Sequence, residues 1–415
     1  MTPREYAVEV TKKLQQAGYK GLWAGGCVRD QLIGREPKDY DVATNATPDQ
    51  VRELFGKKRT IAIGESFGVI TVIGPKSAGN IEIATFRKDA EYSDGRRPDA
   101  VEFTDAKEDA LRRDFTINGM FFDPIEEQVI DYVDGRADID FKVVRAIGDP
   151  HERIAEDKLR MLRAIRFAAT YNFELEQNTK AAVTQHASEI HAVSPERVGE
   201  EMRRMLAHPN RAVAARLLQE CNLLPEILLD GHQLFENRAN WRTRLRWLEE
   251  LGADGEFETA AAIMLSRLLK EQGIEPTIER WKLKNLESGA IVWIENNLLQ
   301  ISRAHQLPWS TIQPLLVNEN AGRAVRVAEI QFGTDHAGVK FAKQKLALPA
   351  EELNPAPLVD GGDLVGLGLQ PGPIFSKILQ HVRNAQLDGE ITVDGEISTR
   401  DQAIELAKKI AGLVN

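Results

Sequence analysis

Up to residue 148 the apolar positions come in short runs, and beyond it they recur at helical spacing over longer stretches. Val8, Val10 and Leu14 return at near-helical intervals with Gly18 as a stop, so a helix is predicted over 2–16. The apolar run Gly21-Leu22-Trp23-Ala24 predicts a strand that turns at Gly25-Gly26 into a helix. Asp39-Tyr40-Asp41-Val42-Ala43-Thr44 reads as the next strand, and Thr47-Pro48-Asp49 supplies an N-cap and a first-turn proline for a helix over 48–55. Strands are expected over 67–73 and 81–86. The polar stretch 87–99 holds Gly and Pro and lacks a period, which reads as a mobile loop. A helix over 105–112, a strand over 129–133, a turn at Asp134-Gly135 and a closing strand over 143–147 complete the first domain.

From residue 149 the pattern predicts Arg-rich helices over 156–167 and, behind Ser194-Pro195, over 195–205. Apolar helical runs at 212–218, 260–269 and 291–301 alternate with polar connectors, which describes an all-α body. Trp241, Trp247, Trp281 and Trp293 are expected in its core rather than as stacking platforms. The fold class is therefore α+β: a mixed-sheet head (1–148) followed by an all-α neck (149–206), body (207–330) and tail (331–415).

Composition adds bounds to this picture. A chain of 415 residues holds more than one core, since single cores rarely grow past about 250–300 residues. Hydrophobic content of 42% and charged content of 28% are ordinary for a globular chain and exclude extensive disorder. No leader and no apolar run near ~18 residues is present, so no membrane partner and a cytoplasmic location are expected. Cys27 and Cys221, in different predicted domains, exclude a disulfide framework or a Cys-based zinc site. The net charge of −10 is an average that still permits a local basic stripe for nucleic acid. Nothing in the sequence sets the oligomeric state.

The candidate chemistry is concentrated between residues 25 and 41. Gly25 and Gly26 expose backbone N–H groups at a strand-to-helix turn, a phosphate cradle, with Arg29 one turn into the helix. Asp39 and Asp41 stand two apart on a strand and project from one face, where two carboxylates repel unless a cation lies between them. Hard Mg²⁺ suits carboxylate oxygens combined with substrate phosphates. Glu82 either completes a set of three with them or is an exposed strand glutamate. The run from Arg112 through Arg113, Asp114 and Asn118 to Met120 suits a triphosphate and ribose, or forms a structural ion-pair cluster.

Arg160, Arg163 and Arg166 fall three apart on one predicted helix face, and without matched acids such a row meets an anion. Asp157 with Arg160 matches the Watson–Crick edges of cytosine and adenine, a carboxylate accepting from the exocyclic amine and a guanidinium donating to the ring nitrogen. The alternative is an intrahelical ion pair. Arg96-Arg97, in the loop, either touch phosphate or are solvated. The Gly372-Pro373 turn either binds a phosphodiester backbone or is structural.

These residues resemble the class II tRNA nucleotidyltransferase and bacterial poly(A) polymerase family, in the nucleotidyltransferase superfamily related to DNA polymerase beta. The matching stretches are Gly25-Gly26-Cys27-Val28-Arg29-Asp30, Asp39-Tyr40-Asp41, 112–118, 156–167 and the Ser194-Pro195-Glu196-Arg197 helix, in the expected order over residues 20–206; the tail turn also matches. The resemblance implies metal binding by Asp39 and Asp41, phosphate and ribose contacts from Gly26, Arg29 and Arg113, base selection by Asp157 and Arg160, and support from Arg163 and Arg166. It implies CTP, ATP and the tRNA 3′ acceptor end as partners, with two Mg²⁺-type metals stabilising the attacking and leaving oxygens. Asp94-Gly95-Arg96-Arg97-Pro98 resembles the flexible loop of relatives that add the terminal A, and 57–72 lacks the basic signature of bacterial poly(A) polymerases. CCA addition is thus expected first, A-only addition second and poly(A) synthesis third. An RNA-binding protein with a degenerate head would lack a metal carboxylate, and a small antibiotic-modifying nucleotidyltransferase would share the head alone.

Overall fold

The computed structural model describes residues 1–62, 68–89, 101–228, 237–266, 273–391 and 399–412. Thr2 opens the first helix, Pro3–Gln16, with a capping box in which its hydroxyl accepts from the N–H of Glu5 while the Glu5 carboxylate accepts from the N–H of Thr2. The helix buries Tyr6, Ala7, Val10 and Leu14. Behind it the head strands are β1 (Gly21–Ala24), β2 (Asp41–Thr44), β3 (Thr60–Ile61), β4 (Val69–Val72), β5 (Ile81–Thr85), β6 (Arg87–Asp89), β7 (Val101–Phe103), β8 (Phe121–Asp123) and β9 (Gln128–Ile130).

Seven of them make one mixed sheet in the order β3-β4-β5-β2-β1-β8-β9, in which β2 and β5 run parallel and the other neighbours antiparallel. The parallel register places Asp41 opposite Glu82. In β5 Ile81, Ile83 and Thr85 are buried while Glu82 is exposed, so the alternation that fills the core also leaves the carboxylate outside. Leu22, Ala24, Ala43, Phe86, Ala106, Ala110 and Phe121 form a buried cluster of the head.

Four local expectations change. The strand expected over 39–44 begins at Asp41, and Asp39 lies in the irregular residues before it. The stretch 87–99 is not loop throughout, because Arg87–Asp89 pairs antiparallel with Val101–Phe103; Asp94, Gly95, Arg96 and Arg97 lie outside the described residues. The expected closing strand over 143–147 shrinks to Val143–Val144, which pairs in parallel with Glu174–Leu175 apart from the main sheet. The helix expected over 156–167 is broken: Pro150–Glu156 ends at Asp157, whose extended backbone precludes continuation, and a second helix runs over Arg160–Tyr171.

The chain divides into two compact units, Met1–Glu236 with Glu275–Lys282, and Asn237–Ile274 with Leu283–Asn415. In the first, the helix Glu275–Trp281 returns to pack on the helix Pro195–Leu206. A Cβ at Gly199 would stand 1.7 Å from the Trp281 carbonyl oxygen, so glycine is required at that approach. Trp281 is fully buried and donates its indole N–H to the Ile227 carbonyl at 3.0 Å. In the second unit the helices Asn285–Ser302 and Ala321–Phe332 pack together, and Val359, Leu364, Ile378, Val382, Ala403 and Ala407 form a small core near its end. Trp241 and Trp281 are buried, while Trp247 and Trp293 are half-buried. Both cysteines are free and buried. Among the described residues no helix is long and apolar enough to cross a membrane.

Candidate active site

Gly25 ends β1 with φ +68° and ψ −122°, a conformation that an L side chain rarely adopts, and its N–H donates to the Met120 carbonyl of the loop before β8. A Cβ at Gly25 would lie 3.0 Å from Nη1 of Arg113, and one at Gly26 would lie 3.5 Å from Nη2 of Arg29. The paired glycines thus leave room for two guanidinium groups against one backbone turn.

Arg29 is 6% exposed and firmly placed. Its Nη1 donates to Asn118 Oδ1 at 2.5 Å, and its Nε and Nη2 donate to Asp30 Oδ1 at 3.0 and 2.8 Å. The guanidinium carbon lies 5.3 Å from the ring centre of Phe167 and 4.5 Å from that of Tyr171. The Tyr171 hydroxyl donates to Asp30 Oδ1 at 3.1 Å, and burial pushes its phenol up to about 12. Arg113 donates from Nε and Nη2 to Asp109 Oδ2 at 3.2 and 2.9 Å, and from Nη1 to the Asn118 carbonyl at 3.3 Å.

Asn118 carries the network onward, its amide donating to Asp114 Oδ1 at 3.1 Å. The other oxygen of Asp114 accepts from Nε and Nη2 of Arg163 at 2.8 and 2.5 Å. Burial by itself would raise the Asp114 carboxyl, but the Arg163 charge and the Asn118 amide hold it below the usual carboxylate range. Arg166 donates to Glu201 at 2.5 Å, and Arg160 donates to the Glu156 carboxylate, to the Arg153 carbonyl at 2.8 Å and to the Arg112 carbonyl at 3.3 Å. The arginine row is therefore not unmatched: Glu156, Asp114 and Glu201 each answer one member. The expectation of free repelling charges fails because the acids for Arg163 and Arg166 arrive from other elements.

Asp157 is not on a helix face with Arg160. Standing at the break, it accepts from Arg197 Nη1 and Nη2 at 3.1 and 2.7 Å and from the N–H of Leu159 at 3.0 Å, so the intrahelical ion pair is replaced by one to the helix Pro195–Leu206.

The carboxylates lie at the edge of this network. Asp41 opens on solvent, yet surrounding protein pushes its carboxyl up to about 6; burial leads, the negative charges of Glu82 and Asp39 add to it, and the Arg113 charge opposes. Asp39 and Glu82 are exposed beside it. Among the described residues no group of three or more His, Cys, Asp and Glu side chains is arranged to hold a metal ion, Asp39, Asp41 and Glu82 included. Hard oxygen donors crowded past what one proton-free carboxylate tolerates fit a divalent cation whose shell is completed from outside the protein.

Several supporting groups had gone unmarked. Asp109, three and four residues before Arg112 and Arg113, carried an i,i+3 and i,i+4 signal for ion pairing. Phe167 and Tyr171, four apart, carried a helical-face signal. Arg197 stood in the matching Ser194-Pro195-Glu196-Arg197 stretch without a role of its own, and Glu201 had no signal beyond lying on a charged helix.

A mixed-sheet head that sets a glycine turn with two guanidinium groups beside clustered carboxylates defines a nucleotidyltransferase. Residues 22–145 match the family model described as Poly A polymerase head domain, and residues 172–234 that described as a probable RNA and SrmB- binding site of polymerase A. The CCA-adding enzyme of Levilactobacillus brevis is 31% identical over 390 residues, covering 93% of this chain and 94% of that protein. That of Geobacillus kaustophilus is 37% identical over 299 residues, covering 70% of each. The crystal structure of the Bacillus stearothermophilus CCA-adding enzyme in complex with CTP superposes with a TM-score of 0.81 at 27% identity, covering 100% of this chain and 99% of that one. The chain belongs to the family of CCA-adding enzymes.

Proposed function

We propose that this nucleotidyltransferase adds CCA, from CTP and ATP, to the 3′ end of tRNA in the cytoplasm, without a nucleic-acid template and with release of pyrophosphate. The observation that carries the reading is the Asp41 carboxyl, crowded by Asp39 and Glu82 and faced by the arginine at the Gly25-Gly26 turn. Asp39 and Asp41, with Glu82 as an outer donor, would hold Mg²⁺, which when bound supplies positive charge for the attacking and leaving oxygens.

The remaining roles belong to the chain. Gly25 and Gly26 let the triphosphate approach the backbone, and Arg29 and Arg113 donate to its oxygens, which places the α-phosphate in line with the RNA 3′-hydroxyl. Asn118 and Asp114 orient Arg29 and Arg163 through the network and face the ribose. Asp157 and Arg160 select C and A, with Arg163 and Arg166 behind them. The Arg197 bonds fix the Asp157 carboxylate without exhausting its acceptor sites, which leaves it able to receive an exocyclic amine. In this reading 1–148 is the catalytic head, 149–206 the neck, and 207–330 and 331–415 the body and tail that hold the tRNA.

Purified protein given tRNA lacking CCA, tRNA lacking only A, or generic RNA, each with labelled CTP or ATP, tests the proposal. Incorporation of both nucleotides into the first substrate supports it. Incorporation of A into the second with no incorporation into the first would point to an A-adding enzyme, and extension of generic RNA to a poly(A) polymerase.

A further inference from the structure

Among the described buried carboxylates of the head, Asp109 is the one that holds an arginine of the glycine turn. Asp109, in the helix Ala106–Leu111, is 2% exposed. Its Oδ2 accepts from Nε and Nη2 of Arg113 at 3.2 and 2.9 Å. Its Oδ1 accepts from Nε and Nη2 of Arg112 at 2.9 and 2.8 Å and from the backbone N–H of Arg87, in β6, at 3.2 Å. Burial alone would raise this carboxyl, and the charges of Arg113 and Arg112 bring it below the usual range, so it stays ionised.

The geometry leaves Arg113 little freedom. With Nε and Nη2 committed to one oxygen, the remaining corner of the guanidinium is Nη1, which donates one hydrogen to the Asn118 carbonyl at 3.3 Å and stands 3.0 Å from the place of a Gly25 Cβ. The guanidinium carbon also lies 5.0 Å from the Phe121 ring centre. A planar fork held along one edge and supported on a face presents its remaining donors in one direction. Arg112, on the other oxygen, balances the charge, and the Arg87 N–H ties the carboxylate to the backbone of β6.

We propose that Asp109 is a positioning residue for nucleotidyl transfer: it aims the second N–H of Arg113 Nη1, the one not given to Asn118, at the triphosphate lying on the Gly25-Gly26 turn. The inference rests on the reading of Arg113 as a triphosphate ligand. It differs from a purely structural ion pair in what it predicts, because a structural pair changes stability and leaves the ATP KM of the folded enzyme in place.

The test uses the full chain with tRNA ending in CC, reading kcat and KM for ATP separately, together with ATP affinity by equilibrium titration and the thermal midpoint. Asp109→Asn, Arg113→Ala and the double variant form a cycle. Asp109→Asn should raise the ATP KM at least about tenfold when Arg113 is present, and less than about twofold further when it is absent, as expected of a misaimed ligand. If Asp109→Asn does not fold, Asp109→Glu keeps the charge but shifts the grip by a methylene, and should raise KM with the midpoint near that of the parent. A penalty of the same size with and without Arg113, or a KM within about twofold of the parent for the folded Asp109 variants, overturns the proposal. Should Arg113→Ala leave KM and affinity unchanged, the triphosphate reading of Arg113 falls and takes this inference with it. A penalty from Arg113→Ala with none from Asp109 removes the positioning role alone.

Discussion

Replacing Asp41 with asparagine should stabilise the metal-free protein and abolish nucleotide addition. Its carboxyl is pushed from the usual 3.8 to about 6 by burial and by the charges of Glu82 and Asp39. A shift of about two units corresponds to at most ~3 kcal/mol. The side chain opens on solvent, so screening reduces the figure to roughly 1–1.5 kcal/mol. Because the folded-state pKa is raised, the protonated form carries the stability: it is fully present below about pH 4 and is lost as pH rises through about 6. Asp41→Asn imitates the protonated carboxyl at every pH. In EDTA at about pH 8 its first unfolding transition should lie above that of the parent by about 2–6 °C, at the ~2–4 °C per kcal/mol of a domain this size, and the gap should close near pH 4. Mg²⁺ should raise the transition of the parent and not that of the variant. Calorimetry across pH, with and without Mg²⁺, reads all of this. An Asp41→Asn protein less stable than the parent at high pH in EDTA, or equally stabilised at low pH, would refute the crowded-carboxylate argument.

Arg163→Ala leaves the Asp114 carboxylate buried without its guanidinium and should cost about 3–5 kcal/mol. Since Asp114, against the upward push of burial, is held below the usual range mainly by the Arg163 charge, that stabilisation exists at neutral pH and is lost as pH falls, so the gap between variant and parent should narrow toward acid pH in denaturant unfolding followed by circular dichroism. Gly25→Ala forces a side chain into positive φ, at about 1–3 kcal/mol, and presses its Cβ to 3.0 Å from Arg113 Nη1; KM for both nucleotides should rise, as steady-state kinetics with CTP and ATP would show. Asp157→Ala, supplied with CTP, ATP, GTP and UTP separately, should relax base choice, and unchanged discrimination would remove the protein-template idea. Trp281→Ala empties a fully buried site and should destabilise the first unit by about 3–5 kcal/mol, measurable by denaturant unfolding.

The head was legible in the sequence to the extent that its signals are local. The first helix, the Thr47 N-cap with its first-turn proline and the glycine turn are decided within a few residues, and each formed where expected. The strand over 143–147 was misplaced because pairing with Glu174–Leu175 is a long-range choice that apolar content does not encode. The break at Asp157 was hidden because residues 156–167 satisfy a helical period on both sides of it; what ends the first helix is the extended backbone of Asp157, which accepts from the Leu159 N–H and from Arg197.

The arginine row shows most clearly what spacing cannot say. Three guanidinium groups three apart implied an unmet positive face, yet Arg163 and Arg166 are answered by Asp114 from before the 3₁₀ turn Thr116–Asn118 and by Glu201 from the helix Pro195–Leu206. A cluster paired in this way is already in position before nucleotide arrives, so binding does not require mutually repelling side chains to be ordered. The same pairing joins the helix Arg160–Tyr171 to the glycine turn: Arg163 to Asp114, Asp114 to Asn118, Asn118 to Arg29, and Arg29 packed on Phe167 and Tyr171 of the helix that carries Arg163. With the roles proposed above, this closed circuit would tie the placement of the base to that of the triphosphate. Cutting it at Asn118 should therefore disturb base choice and triphosphate affinity together, whereas removing the carboxylate of Asp157, which lies outside the circuit on Arg197, should disturb base choice alone.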